Sequence, residues 1–382
     1  MVSILILGAG NGGLAAVADL SIRGYDVSLW NRSPQTLESI SGAAGIRYEG
    51  VLGDGVVPPP RMSTDLSELV AGADLLLVCV PAPAHQSLAR ALARHVSETQ
   101  PIILNPGGLL GSLAFVRDLR MAGFTGSVRI GETGTLTYIC RKPDPASIRV
   151  TSVASDLPFA ALPGSDTRQL IADVASILPH LSPAPHILAA GLTSINTVLH
   201  PPAMILAAAW IEHTHGEFFF YHDTATPSVG RLMASLDAER LAVAQAWSVE
   251  TEPFLSIFAR IGSTSAAAAA SGDFRRALEE SEPNRSIKAP KSLNDRYMHE
   301  DIPFGVVPLA ELGKLAGVST PVLDAIITIA STITGRDYRS EGRNLARLGI
   351  EDLRIDQVIK MLMDGRPPPK TRTSPRVRRP SS

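Results

Sequence analysis

The feature that most constrains the fold is the apolar run VSILIL followed at once by GAGNGG, near the amino terminus. A continuous apolar run such as residues 2–7 is expected of a parallel β-strand that is covered on both faces. The glycines have G-x-G-x-x-G spacing, and a helical segment, LAAVADLSIR, and a second strand, YDVSLW, complete a βαβ unit of about 30 residues. This unit predicts an α/β fold that begins with a dinucleotide-binding Rossmann domain.

The glycine motif suits a dinucleotide diphosphate for specific reasons. Gly8 permits the tight turn, Gly10 lets the diphosphate approach the backbone, and Gly13 lets the helix pack closely on the strand. The first N–H groups of the helix and the positive end of its dipole then attract phosphate. The loop residues predicted to bind the cofactor are Gly8, Gly10, Asn11, Gly12 and Gly13.

The end of the second strand predicts which nicotinamide cofactor is used. An NAD site usually carries Asp or Glu there, which accepts a hydrogen bond from the ribose 2′-hydroxyl. This chain has Asn31, Arg32 and Ser33 instead. A guanidinium and a hydroxyl can bind a 2′-phosphate through charge-assisted hydrogen bonds, which favours NADP(H) over NAD(H). The alternative is an ordinary surface turn before Pro34.

Later apolar runs extend the predicted Rossmann domain over residues 1–182. ADLLLVCV (73–80) and PIILNPGG (101–108) are predicted strands, and ligands of such sheets bind at the carboxyl ends of strands. The cofactor contacts predicted from these two loops are Val80, Pro81, Asn105 and Pro106. VRIGETGTLTYICR (128–141) is predicted as the last strand, with Glu132 and Thr133 facing the cleft or starting a turn. The stretches 156–166 and 178–186 are predicted to connect the domains.

The second half, residues 187–364, has a helical pattern throughout. Within it, NTVLHPP places Asn196 and His200 one turn apart on the same helix face. Proline lacks an N–H and clashes with the carbonyl four residues earlier, so Pro201 and Pro202 predict a kink or break near His200. The alternative for His200 is a core histidine at a helix bend.

Three further segments of this half carry polar or aromatic groups. PSVGRLMASLDAERLAVAQAW (227–247) predicts a long helix on which Asp237, Glu239 and Arg240 form a solvated face. The charged turn NDRYMHED contains Arg296, His299, Glu300 and Asp301 and is either solvent-facing or functional. The aromatic run FFFY (218–221) is either core or an apolar surface.

Composition limits the classes of function. At 382 residues and 45% hydrophobic content the chain is long enough for two domains. The last stretch, residues 365–382, has six basic residues and no acidic one, which predicts a disordered basic tail. The rest of the chain is therefore more acidic than the overall net charge of −2, which argues against nucleic-acid binding. Apolar segments too short to span a bilayer and two cysteines in apolar runs predict a cytoplasmic protein without a membrane anchor.

Several motifs together resemble the octopine/nopaline dehydrogenase family, over nearly the whole chain to about residue 358. They are ILGAGNGGLA, NPGG, IGET, NTVLHPP, TPSVG with DAER, RYMHEDIPFGVVPL and EGRNLARLGI. The resemblance implies a Rossmann domain followed by an all-helical domain, with small-molecule substrates bound between them. It also implies reductive condensation of an amino acid with an α-keto acid such as pyruvate, using NAD(P)H.

The resemblance further assigns roles to individual residues. It implies that His200 is catalytic, that Asp301 is its acidic partner, and that Arg296 binds a substrate carboxylate. Asn196 is a further candidate for substrate binding. Imidazole exchanges protons near neutral pH, a carboxylate fixes its tautomer, and a guanidinium binds carboxylates in bidentate fashion. No metal is expected, and a homodimer is left open.

Two other functions fit the same fold. The first is a ketopantoate-reductase-like or 3-hydroxyacid dehydrogenase that reduces a C=O group. Such enzymes usually rely on a lysine of the helical domain, and residues 187–215 contain none. The second is a non-catalytic NADP-binding sensor, which predicts cofactor binding without turnover.

Overall fold

The structure, a computed structural model, describes residues 2–366. Of the predicted basic tail, residues 367–382 lie outside the described part of the chain. Twelve strands and twenty α-helices are assigned within the described residues, and the strands fall in the amino-terminal half.

The strands form two sheets. They are β1 (Ser3–Leu7), β2 (Asp26–Trp30), β3 (Ile46–Gly50), β4 (Gly55–Val57), β5 (Arg61–Ser63), β6 (Leu75–Val78), β7 (Pro101–Leu104), β8 (Arg129–Thr133), β9 (Tyr138–Arg141), β10 (Ser147–Val153), β11 (Leu157–Leu162) and β12 (Leu181–Pro183). The larger sheet has the order β12-β11-β8-β7-β6-β1-β2-β5, and the smaller one has the order β4-β3-β10-β9. The helices of this half are α1 (Asn11–Ile22), α2 (Pro34–Ser41), α3 (Ser67–Val70), α4 (His85–Leu92), α5 (Gly111–Met121) and α6 (Thr167–Val174).

The centre of the larger sheet is parallel and buried on both faces. β1 pairs in parallel with β2 on one side and with β6 on the other, and residues of β1, β6 and β7 are fully covered. The chain winds outwards from β1 to β2 and later returns to β6. Ligands of open α/β sheets bind at such a point of reversal, outside the carboxyl ends of the strands.

The prediction of one last strand over residues 128–141, followed by connections, was wrong. That segment divides into β8 in the larger sheet and β9 in the smaller one, with a turn between them. The supposed connections at 156–166 and 178–186 contain β11 and β12. β11 pairs antiparallel with β8, and its Phe159 ring fills the space that Gly131 leaves open, so this proline-flanked apolar run belongs to the core.

All regular elements after β12 are helical. The α-helices are α7 (Ile187–Leu192), α8 (Asn196–Leu206), α9 (Ala208–Thr214), α10 (Phe220–Asp223), α11 (Pro227–Ala246), α12 (Phe254–Arg260), α13 (Ala266–Ala270), α14 (Phe274–Glu279), α15 (Arg296–His299), α16 (Val307–Ala316), α17 (Pro321–Thr334), α18 (Tyr338–Glu341), α19 (Leu345–Leu348) and α20 (Ile355–Asp364). A π-helical turn, Ile302–Val306, joins α15 to α16.

The two prolines after His200 do not break their helix. α8 runs through Pro201 and Pro202, and the breaks lie at its ends, between Leu192 and Asn196 and again at Ala207. The predicted break at the prolines was therefore wrong. Each proline removes one backbone hydrogen bond, but α8 is buried against other helices, and this packing holds the helical conformation.

The polar residues of α11 do not form a solvated face, which corrects that prediction. Asp237 and Arg240 are buried and hydrogen-bonded to each other, and Arg240 also donates to two backbone carbonyls. Glu239 is half-buried and accepts the first free N–H groups of α17, from Val322 and Leu323. The charges of α11 thus join elements of the helical half.

Within residues 2–366, no single helix is both long and apolar enough to cross a bilayer, although the bent pair Ile187–Leu206 and Ala208–Thr214 together has sufficient length and apolar composition. Within the same residues, no group of three or more His, Cys, Asp or Glu side chains is arranged to hold a metal ion. Cys79 and Cys140 are buried free thiols.

Candidate active site

The glycine loop has the geometry that a dinucleotide needs. Gly8 has φ of +116°, and a Cβ on Gly13 would lie 1.7 Å from the Gly8 carbonyl oxygen. Gly10, the first residue before α1, is exposed, and a Cβ there would meet nothing within 4 Å. The loop is therefore closed where helix and strand meet and open at the helix N-terminus, where a diphosphate fits.

The turn after β2 borders this loop. The Ala9 N–H donates to Asn31 Oδ1 (3.1 Å), and the Asn31 side-chain amide donates to the Ser33 carbonyl. Ser33 Oγ accepts the Thr36 N–H at the start of α2. Arg32 is exposed at the carboxyl end of β2. Asn31 and Ser33 thus shape the turn, and Arg32 is the residue whose side chain is available to a ligand.

The loops after β6 and β7 contact the glycine loop and the turn between β8 and β9. The space beside Gly8 is filled by Val80, and exposed Pro81 follows it. Asn105, joined to Pro106 by a cis peptide bond, is fully buried, and its Oδ1 accepts two hydrogen bonds from Thr137. The Asn105 Nδ2 has no protein partner among the described residues.

A lysine from the small sheet reaches the glycine loop, and sequence reasoning missed it. Lys142 follows β9; its backbone N–H donates to Asn11 Oδ1 (3.0 Å) and its ammonium to the Ala9 carbonyl (3.3 Å). Burial lowers the pKa of Lys142, while Asp144 opposes the shift. No spacing in the sequence links residue 142 to residue 9, because β9 belongs to a second sheet whose position is set by tertiary packing.

His200 and Asp301 meet in the helical half. The His200 Nδ1–H donates to Asp301 Oδ2 at 2.6 Å, and both side chains are buried. α8 supplies the imidazole, and the residue between α15 and the π-helical turn supplies the carboxylate, 101 positions later. The turn can approach α8 closely because Gly305 has no side chain. A Cβ at this position would clash with Thr197 of α8.

Two tyrosines complete the surroundings of His200, and the sequence did not indicate either of them. The Tyr221 hydroxyl lies 2.9 Å from His200 Nε2 and 3.0 Å from the Tyr297 hydroxyl. The Tyr297 ring stacks on the imidazole at 3.8 Å between centroids, and Phe220 packs beside both. Of the aromatic run 218–221, only Phe219 is exposed, so the run is mainly core.

Glu300 connects this cluster to the cofactor side. Its Oε1 accepts the backbone N–H of Ala82 at 3.0 Å, in the loop after β6. Its Oε2 lies 3.1 Å from Nε of Arg296, without the geometry of a hydrogen bond. Burial raises the pKa of Glu300, Arg296 lowers it, and Asp301 raises it further. The His200–Asp301 pair is therefore next to the predicted nicotinamide loop.

Arg296 and Asn196 are accessible near this pair. The Arg296 side chain keeps 45% of its surface exposed, and within residues 2–366 no hydrogen bond involves its two terminal nitrogens. Asn196 is the first residue of α8 and half-buried, one turn before His200. The structure thus brings Arg296, His200 and Asp301 together, with Asn196 on the same helix as the imidazole.

Two further buried charged residues, Arg343 and Glu132, form hydrogen bonds to the loop after β7 and to the start of α5. Arg343 is buried and donates to the carbonyls of Gly107 and Leu109. Glu132, expected at the cleft or in a turn, is instead fully buried and accepts the N–H groups of Gly111 and Ser112 at the start of α5. Burial raises the pKa of Glu132 to about 7, although these bonds and Arg343 lower it.

Comparisons with known proteins identify the family of this chain. Residues 183–334 match the family model described as NAD/NADP octopine/nopaline dehydrogenase, alpha-helical domain, and residues 4–118 match that of ketopantoate reductase PanE/ApbA. An opine dehydrogenase of Arthrobacter sp. (strain 1C) is 35% identical over 348 residues, which cover 91% of this chain and 95% of the relative. The chain belongs to the opine dehydrogenase family. It is an NAD(P)-dependent oxidoreductase that acts on the CH–NH group of donors.

More distant relatives and solved structures support the same fold. Vitopine synthase of Allorhizobium ampelinum is 24% identical over 92% of this chain and 96% of its own. Octopine dehydrogenase with NADH and L-arginine has a TM-score of 0.73 at 20% identity, covering 94% of this chain and 98% of that one. Yersinopine dehydrogenase with NADP⁺ has a TM-score of 0.72 at 16% identity, covering 95% and 98%. The predicted Rossmann domain followed by a helical domain is thereby confirmed.

Proposed function

We propose that this opine dehydrogenase joins the amine of an amino acid to an α-keto acid of the pyruvate type and reduces the product with NADPH. The observation that carries this proposal is the buried His200–Asp301 pair, linked through Glu300 to the cofactor loop at Ala82. Structures of octopine dehydrogenase with NADH and either L-arginine or pyruvate support the two substrate classes.

The residues of the pair suit the condensation step. His200 accepts a proton as the amine attacks the keto carbon, and it returns a proton when water leaves and the imine forms. Asp301 holds Nδ1–H and stabilises the imidazolium, so the other ring nitrogen handles the proton. Arg296 binds a substrate carboxylate with its two terminal nitrogens, and Asn196 orients the substrate. Bound nicotinamide cofactor supplies hydride to the imine carbon.

The proposed cofactor site consists of Gly8, Gly10, Asn11, Gly12, Gly13, Asn31, Arg32, Ser33, Val80, Pro81, Asn105 and Pro106. The unpartnered Nδ2 of Asn105 and the open space at Gly10 fit a dinucleotide. NADPH is favoured because exposed Arg32 offers charge to a 2′-phosphate, while no carboxylate stands at the end of β2 to repel it. We further propose domain limits of 1–182 and 187–364. The last strand, β12, ends at Pro183, and the first helix of the second half, α7, starts at Ile187.

The amino substrate is proposed to be apolar. Phe220, Tyr221 and Tyr297 surround His200. Two acidic side chains lie close to it among the described residues: Asp301 faces His200, and Glu300 faces Arg296. A cationic side chain would therefore lack a free carboxylate partner at this site.

A panel of amino acids with pyruvate, each with NADPH and NADH, tests the proposal. We expect NADPH oxidation only when an amine and a keto acid are both present, with apolar amino acids preferred. Oxidation with pyruvate or ketopantoate alone, at the same rate, would refute condensation and favour a C=O reductase. Cofactor binding without turnover on any pair would favour the sensor.

A further inference from the structure

In this structure His200 has no ring nitrogen directed at the cleft. Nδ1 is hydrogen-bonded to Asp301, the Tyr221 hydroxyl is within hydrogen-bond distance of Nε2, and the Tyr297 ring covers one face of the imidazole. His200 is 6% exposed, Asp301 7% and Tyr221 5%. A substrate could reach His200 directly only by displacing Tyr221, which would break two hydrogen bonds of a buried side chain.

The hydrogen bonds continue past His200 in a line. Tyr221 connects Nε2 at 2.9 Å to the Tyr297 hydroxyl at 3.0 Å, and Tyr297, which is half-buried, is the most exposed member of the line. Both distances lie in the range of ordinary hydrogen bonds. A hydroxyl both donates and accepts, so either direction of donation is available along the line.

The geometry points to a proton relay in which the Tyr297 hydroxyl, not the imidazole, meets the substrate, and Tyr221 carries the proton between them. This inference deepens the proposed function and rests on it. Tyr297 is thereby the group that touches the reacting atoms, and Tyr221 and His200 act through it.

Every proton that moves along the relay is accounted for when the adduct loses water. As the C–O bond of the amine–keto acid adduct breaks and its nitrogen lone pair forms the C=N bond, the leaving hydroxyl takes the proton of Tyr297. Tyr297 takes the proton of Tyr221, and Tyr221 takes that of His200 Nε2. Imidazolium becomes neutral imidazole, Asp301 stays ionised, and one water leaves. When the substrate ammonium group deprotonates and attacks the keto carbon, one proton moves along the line in the reverse direction to His200. A second proton passes from the nitrogen to the keto oxygen, which gives the neutral adduct.

Burial suits Tyr221 to this role. Burial raises the pKa of its hydroxyl well above the ordinary value, with the nearby Tyr297 acting in the same direction. The hydroxyl therefore stays neutral over the working pH range and passes protons without storing charge.

Tyr221→Phe and Tyr297→Phe test the relay, since each keeps the ring and removes only the hydroxyl. We expect the single-turnover rate of amine-dependent NADPH oxidation to fall about a hundredfold in each, the range of general acid–base catalysis, with the Kd for NADPH unchanged. The solvent deuterium isotope effect on that step should indicate more than one moving proton in the wild type and should change in both variants. Tyr338→Phe is the matched control, because it also removes a tyrosine hydroxyl that bonds a histidine of the same half: the Tyr338 hydroxyl lies 2.6 Å from His299 Nδ1. The rate of this variant should remain within about twofold of the wild-type rate.

The outcomes separate cleanly. If Tyr221→Phe keeps the wild-type rate and isotope effect while remaining folded by thermal melting, then the substrate displaces the hydroxyl and His200 acts directly, and the relay is rejected. If both variants lose the rate but Tyr338→Phe loses it equally, the effect is structural and the relay is also rejected. If the wild type itself shows no amine-dependent turnover, the proposed function fails, independently of the tyrosines.

Discussion

At the scale of single residues, the sequence identified some residues of the proposed site and missed others that lie beside them. Arg32 was identified from its position after a strand, whereas Lys142 reaches the same glycine loop from 133 positions away. His200 and Asp301 were paired through the family resemblance, and no spacing argument connects residues 200 and 301. Tyr221 and Tyr297 lay within motifs already noted, but only tertiary packing reveals that their hydroxyls meet.

Arg32 and Lys142 are predicted to act on different phosphates of the cofactor. Arg32→Ala should weaken NADPH binding about tenfold or more and leave NADH nearly unchanged, because only NADPH has the 2′-phosphate. Lys142→Met should weaken both cofactors by a similar factor, since both have the diphosphate. Fluorescence titration of each variant measures the four Kd values. Equal effects of Arg32→Ala on both cofactors would contradict the NADPH preference.

His85 is predicted to make the fold sensitive to acid. Burial lowers its pKa to about 3, so as pH falls below the ordinary value of 6.5 the unfolded chain binds a proton that the folded chain does not. Lowering the pH from 6.5 to about 5 should therefore reduce the free energy of unfolding by about 2 kcal/mol. Glu132, whose pKa is raised to about 7, increases stability as the pH falls, but this contribution is the same in the wild type and the His85 variant.

Urea unfolding at both pH values measures this effect. Relative to wild type, His85→Gln should lose less stability between pH 6.5 and 5, whatever its stability at the upper pH. His213→Gln, which alters an exposed histidine of α9, is the control. Parallel pH dependence in wild type and His85→Gln would show that His85 does not remain neutral in the fold.

At the scale of elements, the predictions succeeded where local pattern decides the outcome and failed where packing does. β1, α1 and β2 follow from an apolar run, the glycine spacing and the helical segment after it, which act within a few residues. The prolines of α8 and the charges of α11 were misjudged, because burial against other helices overrides the propensity of proline and the solvation of a charged pair. β11 was missed because its partner, β8, was taken as the last strand.

The buried pair in α11 gives a prediction about stability. Asp237→Ala should lower the free energy of unfolding by about 3–5 kcal/mol, because Arg240 would stay buried without its carboxylate. Glu282→Ala removes a pair with the same i,i+3 spacing, but on the surface, and should change stability by less than about 1 kcal/mol. Chemical denaturation provides both values. Similar losses in the two variants would mean that the α11 pair is not a buried link.

At the scale of the whole molecule, the two halves contact each other beside the proposed nicotinamide site. Glu300 joins the loop after β6, and Arg343 joins the loop after β7, so the helical half holds both loops that border the proposed nicotinamide site. The sequence predicted a Rossmann domain followed by a helical domain. It could not predict these bonds, because each joins residues more than 200 positions apart whose approach depends on the complete fold.

The most direct test of the central claim compares His200→Asn, Asp301→Asn and the double variant in single-turnover, amine-dependent NADPH oxidation, with the Kd for NADPH measured alongside. Because the two groups act as a unit, each single variant should lose about 10²–10⁴-fold in rate and the double variant little more, with cofactor affinity unchanged. Retention of a third or more of the wild-type rate by either single variant would contradict the claim that this pair moves the protons of condensation.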